Sequence, residues 1–312
     1  MTMLQGWGAQ RRVDCDERTP ETPADVKRAL TRDGTIARGL GRSYGDQALN
    51  EHRRVVTMTK LDRYLSFDDA TGTLRCEAGV SLAQLITDFG PRGFFPAITP
   101  GTKFVTVGGC IANDVHGKAH HAQGTFVTCV ESLQLLVADG RIVTASRTQN
   151  AELFWATFGG LGLTGVILEA TLKLRRIETT YFRQKSLPAR DLTHMLELLA
   201  EYDAQFPYSV ATLNSTATGA ALGQGILTVG DHAKRDELPA KFAKHPLKLT
   251  GDLAITVPFE MPELTLNPLT IRALNQVIAT MLKAKGDFEH YEGFFYPLDM
   301  IHDWYPGSGK RG

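Results

Sequence analysis

Arg38-Gly39-Leu40-Gly41-Arg42-Ser43-Tyr44-Gly45-Asp46 sets three glycines among two guanidinium groups and a serine hydroxyl. Glycine lets main chain approach a ligand closely and present successive N–H groups to phosphate oxygens. Arg38, Arg42 and Ser43 can add charged or hydroxyl donors. Further along, Pro100-Gly101-Thr102 and Thr106-Val107-Gly108-Gly109 repeat the pattern with little charge. One such loop is often only a tight surface turn. Two of them flanking a strand-and-helix unit point to a large phosphorylated cofactor.

A third cluster follows: His116-Gly117-Lys118-Ala119-His120-His121. Two histidines four apart can share a helical face and bind a metal. His-Gly-Lys disfavours a helix, however, and no nearby Cys or Glu completes a ligand set. Hydrogen bonding to a cofactor, or loop packing, is expected instead, with no metal. Lys118 can neutralise an anionic substrate or the electron-rich edge of a cofactor ring, or it is a solvated surface lysine. Tyr44 can stack or hydrogen-bond at the cofactor, or it is an ordinary buried aromatic. Gly160-Leu161-Gly162-Leu163-Thr164-Gly165 also fits the G-x-G-x-x-G dinucleotide motif. That motif must follow a strand and open a helix. Here a helical pattern precedes and a strand pattern follows, which excludes a nicotinamide-binding fold on this segment.

The elements that must position these loops are legible in outline. Residues 13–22, rich in Pro, Thr and Glu, are expected to be loop. Short strands are expected at Thr35–Arg38, Val55–Met58 and Thr73–Ala78, with helices at Ala24–Thr31 and Leu82–Phe89. Phe94–Ile98 leads into the second glycine loop. Ser132–Ala138 turns at Asp139-Gly140 into Arg141–Ala145, since Asp-Gly supplies the positive φ of a tight hairpin. Asn150 is expected to cap a helix over Ala151–Phe158 that Gly159 ends. From Val166 to Leu174 strict alternation predicts a half-buried strand, with Ile167, Glu169, Thr171 and Lys173 on the second face. Beyond residue 178 the glycine loops stop. Helical periodicity covers Asp191–Tyr202 and Leu269–Lys285, with strand-like pieces at Gly225–Val229 and Leu253–Val257. Two domains are expected, 1–178 and 179–312.

Bulk properties narrow the class. The chain has 312 residues, longer than a typical single core. Its 34 basic and 34 acidic residues balance, which argues against nucleic acid as a partner. Cys15, Cys76, Cys110 and Cys129 form no metal-binding spacing and are expected to be unpaired thiols in a reducing compartment. No signal-like or membrane-spanning run stands out. A soluble protein, or one attached to a membrane surface, is expected.

Together, Arg38–Asp46, Pro100–Gly109, Asp114–His121 and Ala151–Gly165 resemble the flavin-binding domain of the vanillyl-alcohol-oxidase superfamily. Gly-Arg-Ser-Tyr-Gly-Asp with Val-His-Gly-Lys-x-His-His is similar, more narrowly, to the branch that oxidises polyprenylphosphoryl-ribose. The likeness is strong from Gly6-Trp7-Gly8 to Leu174 and weaker through Tyr296-Pro297-Leu298-Asp299-Met300 and Asp303-Trp304.

The resemblance implies an α+β fold: a two-subdomain PCMH-type FAD-binding domain, then an incomplete antiparallel-sheet substrate domain. It implies FAD contacts in the first loop at Ala37, Arg38, Gly39, Leu40, Gly41, Arg42, Ser43, Tyr44, Gly45, Asp46 and Gln47. In the second loop they fall at Gly101, Thr106, Val107, Gly108 and Gly109. Asn113, Asp114, Val115, His116 and, later, Ile167 complete the set. Tyr44, His116 and Lys118 match positions beside the flavin ring and substrate, and so are the expected catalytic residues. Relatives that bind flavin covalently use a histidine where this chain has Arg42, so non-covalent FAD is expected.

The implied reaction passes a hydride from a sugar carbinol carbon to the flavin while a base takes the hydroxyl proton. A polyprenyl-phosphate sugar as substrate and a separate nicotinamide-dependent keto-reductase as partner follow, in the cytoplasm at the inner membrane surface. An aldonolactone-oxidase-like sugar oxidase and a flavin-binding remnant without turnover are the alternatives. The family's usual lysine and cysteine from a later segment do not occur. Thr212-Leu213-Asn214 stands for its Trp-x-Asp, and Tyr305-Pro306-Gly307-Ser308-Gly309 replaces its usual run, so a C-terminally truncated member is expected.

Overall fold

A computed structural model describes residues 1–8, 11–249, 255–256, 267, 269–273, 275–276, 280, 286–297, 299 and 301–302. The chain divides into two compact units: Met1–His116 with Thr125–Arg176, and Gly117–Gly124 with Ile177–Gly312.

The first unit holds two sheets. The smaller runs β1 (Thr2–Gln5), β2 (Arg12–Arg18), β4 (Arg54–Thr57), β3 (Thr35–Arg38), with β2, β4 and β3 parallel. β2 corrects the loop expected at 13–22. Val13 and Cys15 are buried and alternate with Asp14 and Asp16, and the two fill a small core with Ile36 and Val55. The acidic and hydroxyl composition concealed that alternation. Helix α1 (Pro23–Ala29) starts where Thr22 Oγ1 accepts from Asp25 N–H at 3.2 Å.

The larger sheet is antiparallel: β5 (Tyr64–Asp68), β6 (Thr73–Glu77), β10 (Val166–Arg176), β8 (Val130–Leu136), β9 (Ile142–Ser146), with β7 (Phe94–Pro96) on the far end of β10. The β8–β9 hairpin turns at Asp139-Gly140, with Gly140 at φ +81°. Helix α2 (Leu82–Phe89) opens with a Ser81–Gln84 capping box and buries Leu82, Leu85, Ile86 and Phe89. α3 (Val107–Ala112) and α5 (Ala151–Thr157) complete this layer.

Two expectations are corrected here. β10 does not alternate strictly. A bulge between Ile167 and Glu169 shifts its register against β8, so Ile167 joins Ala170, Leu172 and Leu174 in one core while Val166 and Leu168 enter another. Asn150 precedes α5 but lies at φ +48° and makes no capping bond; its Nδ2 donates to Thr144 O at 2.7 Å, tying the helix start to β9.

The second unit is built on an antiparallel sheet ordered β12 (Tyr208–Leu213), β13 (Gly225–His232), β11 (Tyr181–Ala189), β15 (Phe288–His290). Helix α6 (Leu192–Tyr202) covers one face through Ala189, Met195, Leu227 and Val229. Phe182, Tyr208, His232, Phe294 and Phe295 form an aromatic cluster, with Phe182 stacked on Phe294 at 3.8 Å. The excursion Gly117–Gly124 contributes the short helix α4 (His120–Gln123) to this unit, and α7 (Ala240–Ala243) lies beyond β13. β14 (Ile255–Thr256) pairs in parallel with β16 (Ile301–His302). The remainder of Leu253–Val257, much of Leu269–Lys285, and Leu298, Met300, Asp303-Trp304 and Tyr305–Gly312 lie outside the described residues. The mixture of helices and antiparallel sheets is of the α+β class. Among the described residues no helix is long and apolar enough to cross a membrane.

All four cysteines are free and buried. Burial pushes the Cys76 and Cys129 thiols up to about 12, and that of Cys110 upward as well. Those three thiols are therefore protonated at neutral pH, and all four are inaccessible. A disulfide-exchange reagent is expected to titrate no thiol in the native chain and all four after denaturation. Rapid native labelling of any of them would contradict this packing.

Candidate cofactor and catalytic site

β3 delivers the first glycine loop. Arg38, its last residue, turns its guanidinium inward: Nη2 donates to Gln5 O at 2.7 Å and Nη1 to Ala48 O at 3.4 Å. Burial holds this guanidinium below the usual arginine range, and Glu17 acts in the opposite sense. The side chain thus braces the loop through main-chain carbonyls. Gly41 closes over it at φ +67°, where a Cβ would lie 2.2 Å from Arg38 Nη2.

Arg42 stacks over the Trp7 ring at 4.2 Å and donates from Nε to Phe104 O at 3.3 Å. Trp7 N–H in turn donates to Ser43 O at 2.7 Å. One cation therefore ties the N-terminal segment and both glycine loops together. Trp7 and Phe104 were not singled out from sequence as site residues. The Gly6-Trp7-Gly8 triplet was the available signal, but nothing local says which loop it meets.

The two loops touch at Gly39, whose Cβ would fall 2.3 Å from Thr106 Oγ1. That threonine caps α3, accepting from Gly109 N–H at 3.1 Å. The other amides at this helix start are also spent, Val107 N–H on Val80 O and Gly108 N–H on Ala78 O, both at 2.8 Å. Val107, Gly108 and Gly109 can offer close approach but no spare donors. The first loop differs. Among the described residues, the amides of Gly39, Leu40, Gly41, Ser43, Tyr44, Gly45 and Asp46 donate to no protein acceptor. An exposed or half-exposed run of unspent N–H groups suits pyrophosphate oxygens. Around Gly101 a Cβ would meet nothing within 4 Å, which leaves room for a bound group. The donor set and the glycine cradle fit FAD.

Asn113 Nδ2 donates to Gly109 O at 2.9 Å. Asp114, at φ +43°, accepts from Thr125 Oγ1 at 2.8 Å and Val127 N–H at 3.0 Å, so its carboxylate works as a clamp. Val115 O accepts from Phe126 N–H at 2.8 Å, and His116 bridges Thr125 in antiparallel fashion. Tyr44 is 66% exposed, a side chain not committed to a core, and Ile167 is buried among core residues. Ala37 and Gln47 flank the first loop, Ala37 on β3 and Gln47 at the exposed end.

Tyr44 and His116 belong to the first unit and Lys118 to the second. Lys118 Nζ donates to Phe294 O and lies 4.8 Å over the Phe294 ring, while its own carbonyl accepts from Ser209 N–H at 2.8 Å. Among the described residues, no three His, Cys, Asp or Glu side chains converge as a metal set.

Residues 18–146 match the FAD binding domain family. Across 325 aligned positions, 99% of this chain and 69% of the relative, the chain is 35% identical to decaprenylphosphoryl-beta-D-ribose oxidase of Mycolicibacterium smegmatis (strain ATCC 700084 / mc(2)155). It is 34% identical to a carbohydrate oxidase of Microdochium nivale over 45% of this chain and 28% of that protein. It is also 36% identical to L-gulonolactone oxidase of Bos taurus over 38% of this chain and 27% of the relative. The cradle of unspent amides and a match over almost the whole sequence agree: the chain belongs to the PCMH-type family of FAD-binding oxidoreductases, with FAD as its cofactor.

Proposed function

We propose that the chain oxidises a secondary alcohol of a sugar, the ribose 2′-hydroxyl of a polyprenylphosphoryl-ribose. The observation that carries this reading is the near full-length likeness to an oxidase of that name, whereas the likeness to sugar-lactone and carbohydrate oxidases covers less than half of the chain. In this reading the two sheets of the first unit are the two lobes of a PCMH-type domain, and the sheet of the second unit carries the substrate side.

When bound, FAD would supply the two-electron acceptor for a hydride. The chain's own residues bind and orient. The amides of Gly39, Leu40, Gly41, Ser43, Tyr44, Gly45 and Asp46 would hold the FAD pyrophosphate, with Ser43 adding a hydroxyl. Arg42 has no nucleophilic ring nitrogen, so FAD is held without a covalent bond. By the family match, Tyr44 and His116 would lie beside the flavin ring. The imidazole of His116 is the group suited to take the hydroxyl proton. The Lys118 ammonium meets the substrate's anionic group. A polyprenyl chain brings the cytoplasmic protein to the membrane surface, and a separate nicotinamide-dependent keto-reductase consumes the ketone. An aldonolactone-oxidase-like activity is the second reading, favoured by the sugar-oxidase relatives of the FAD portion. A flavin-binding chain without turnover is the third.

Visible absorption of the purified protein, before and after acid precipitation, tests the cofactor. A yellow protein that releases all its flavin into the supernatant is expected. Anaerobic bleaching by a polyprenylphosphoryl-ribose, but not by an aldonolactone, separates the first reading from the second. Flavin that no sugar alcohol bleaches would leave the third.

A further inference from the structure

Lys118 rides on an eight-residue excursion, Gly117–Gly124, that leaves the first unit and joins the second. The segment is tied to the second unit by the Lys118 side chain on Phe294 O, by the Lys118 carbonyl, which accepts from Ser209 N–H, and by His121. The Lys118 ammonium has three N–H donors, of which Phe294 O takes one, so the side chain can face a substrate anion only if the segment that carries it is held by other contacts as well. We propose that His121 is the positioning residue that holds Lys118 in place. This rests on the role given to Lys118 above.

The ring of His121 is gripped on both nitrogens. Nε2 lies 2.9 Å from Phe206 O and 3.9 Å from Asp203 Oδ1. That carboxylate oxygen is sealed from solvent and receives no hydrogen bond. Two acceptors facing one nitrogen place the proton on Nε2. Nδ1 is then bare, and Ser209 Oγ at 3.4 Å is placed to donate to it. Ser209 is also the residue whose N–H donates to the Lys118 carbonyl at 2.8 Å. The imidazole and the backbone bond therefore close on one point of β12. Asp203 and Phe206, just past α6, supply the other wall. Lys118 and His120 are the other titratable groups of the excursion around His121.

The Ser209 amide reports the docking directly, because its acceptor is Lys118 itself. Hydrogen exchange on the full chain is expected to quicken about tenfold at Ser209 in His121→Leu, the loss of one net hydrogen bond. Leu227 and Val229 of β13 serve as folding controls and should hold their protection. His121→Gln, which keeps a donor for Phe206 O, is expected to restore slow exchange. The ring nitrogen spectrum of the native chain should show His121 protonated at Nε2 and bare at Nδ1. In the FAD-loaded protein, His121→Leu should lower kcat, and His121→Gln should recover it. Unchanged Ser209 exchange in His121→Leu, or a proton on Nδ1, would overturn the proposal. Exchange and tautomer require neither cofactor nor substrate. A failure of the catalytic reading appears separately, as a Lys118→Met chain that turns over normally.

Discussion

Gly41→Ala is expected to give a protein that purifies nearly colourless and takes up added FAD about 100-fold more weakly. Two costs combine. The residue sits at φ +67°, where a Cβ costs roughly 1–2 kcal/mol. The added carbon would also lie 2.2 Å from Arg38 Nη2 and 2.8 Å from its Cζ. Arg38 cannot swing aside cheaply, because it holds the carbonyls of Gln5 and Ala48, and moving it would leave those acceptors unmet. The sum, about 3 kcal/mol, falls on the loop whose amides must stay aligned for phosphate, and 1.4 kcal/mol is about tenfold in affinity. Fluorescence titration with FAD reads the result directly. Wild-type affinity would mean that the loop relaxes and that its present shape is not what binds. Arg38→Ala in the Gly41→Ala background removes the overlap but leaves Gln5 O and Ala48 O unmet and the dihedral cost in place, so wild-type affinity is not expected to return.

On the proposed role, Lys118→Met is expected to keep FAD and to lower kcat/KM by about 10- to 100-fold, the range for losing one charge-assisted hydrogen bond to the substrate's anionic group. Methionine preserves the length of the side chain and its contact with the Phe294 ring, so packing is little changed. Lys118→Arg is expected to rescue poorly. A guanidinium is larger than an ammonium and fixes its donors in one plane, so it re-aims the charge held over the Phe294 ring and on its carbonyl. Steady-state rates with a polyprenylphosphoryl-ribose, with bound flavin counted by absorbance, separate the two effects. A colourless Lys118→Met protein would move the residue from chemistry to structure.

What could be read from the chain follows the range of the forces involved. α2 was legible to the residue because Ser81, Gln84 and the apolar positions Leu82, Leu85, Ile86 and Phe89 are all local. The β8–β9 hairpin was legible for the same reason, through Asp139-Gly140. The glycine loops announced close approach, since absence of a side chain is a local property. What they approach was not legible. Arg38 looked like a donor for phosphate, yet it braces Gln5 and Ala48, one of them 33 positions away. The bulge at Leu168 was hidden because two cores, one on each side of β10, both wanted apolar residues. The attachment of His121 to Phe206 spans 85 positions, and no periodicity encodes it.

The excursion Gly117–Gly124 also governs how this chain can be divided. A cut at Arg176–Ile177 does not yield two self-sufficient pieces, because the N-terminal piece carries off part of the other unit's fold. Expressed alone, it would present Ala119, only 3% exposed in the whole chain, to water, while the C-terminal piece would lack its partner for Ser209 N–H. His116 and Thr125 are already neighbours across an antiparallel bridge, so the rim of the gap is closed. The division best suited to an autonomous flavin domain is therefore excision and splicing: a short glycine link replaces 117–124, the chain then ends at Arg176, and flavin uptake by the product is the expected readout. The complementary route, supplying residues 117–124 as a peptide to the second unit, makes the excursion a natural site for split-protein reconstitution.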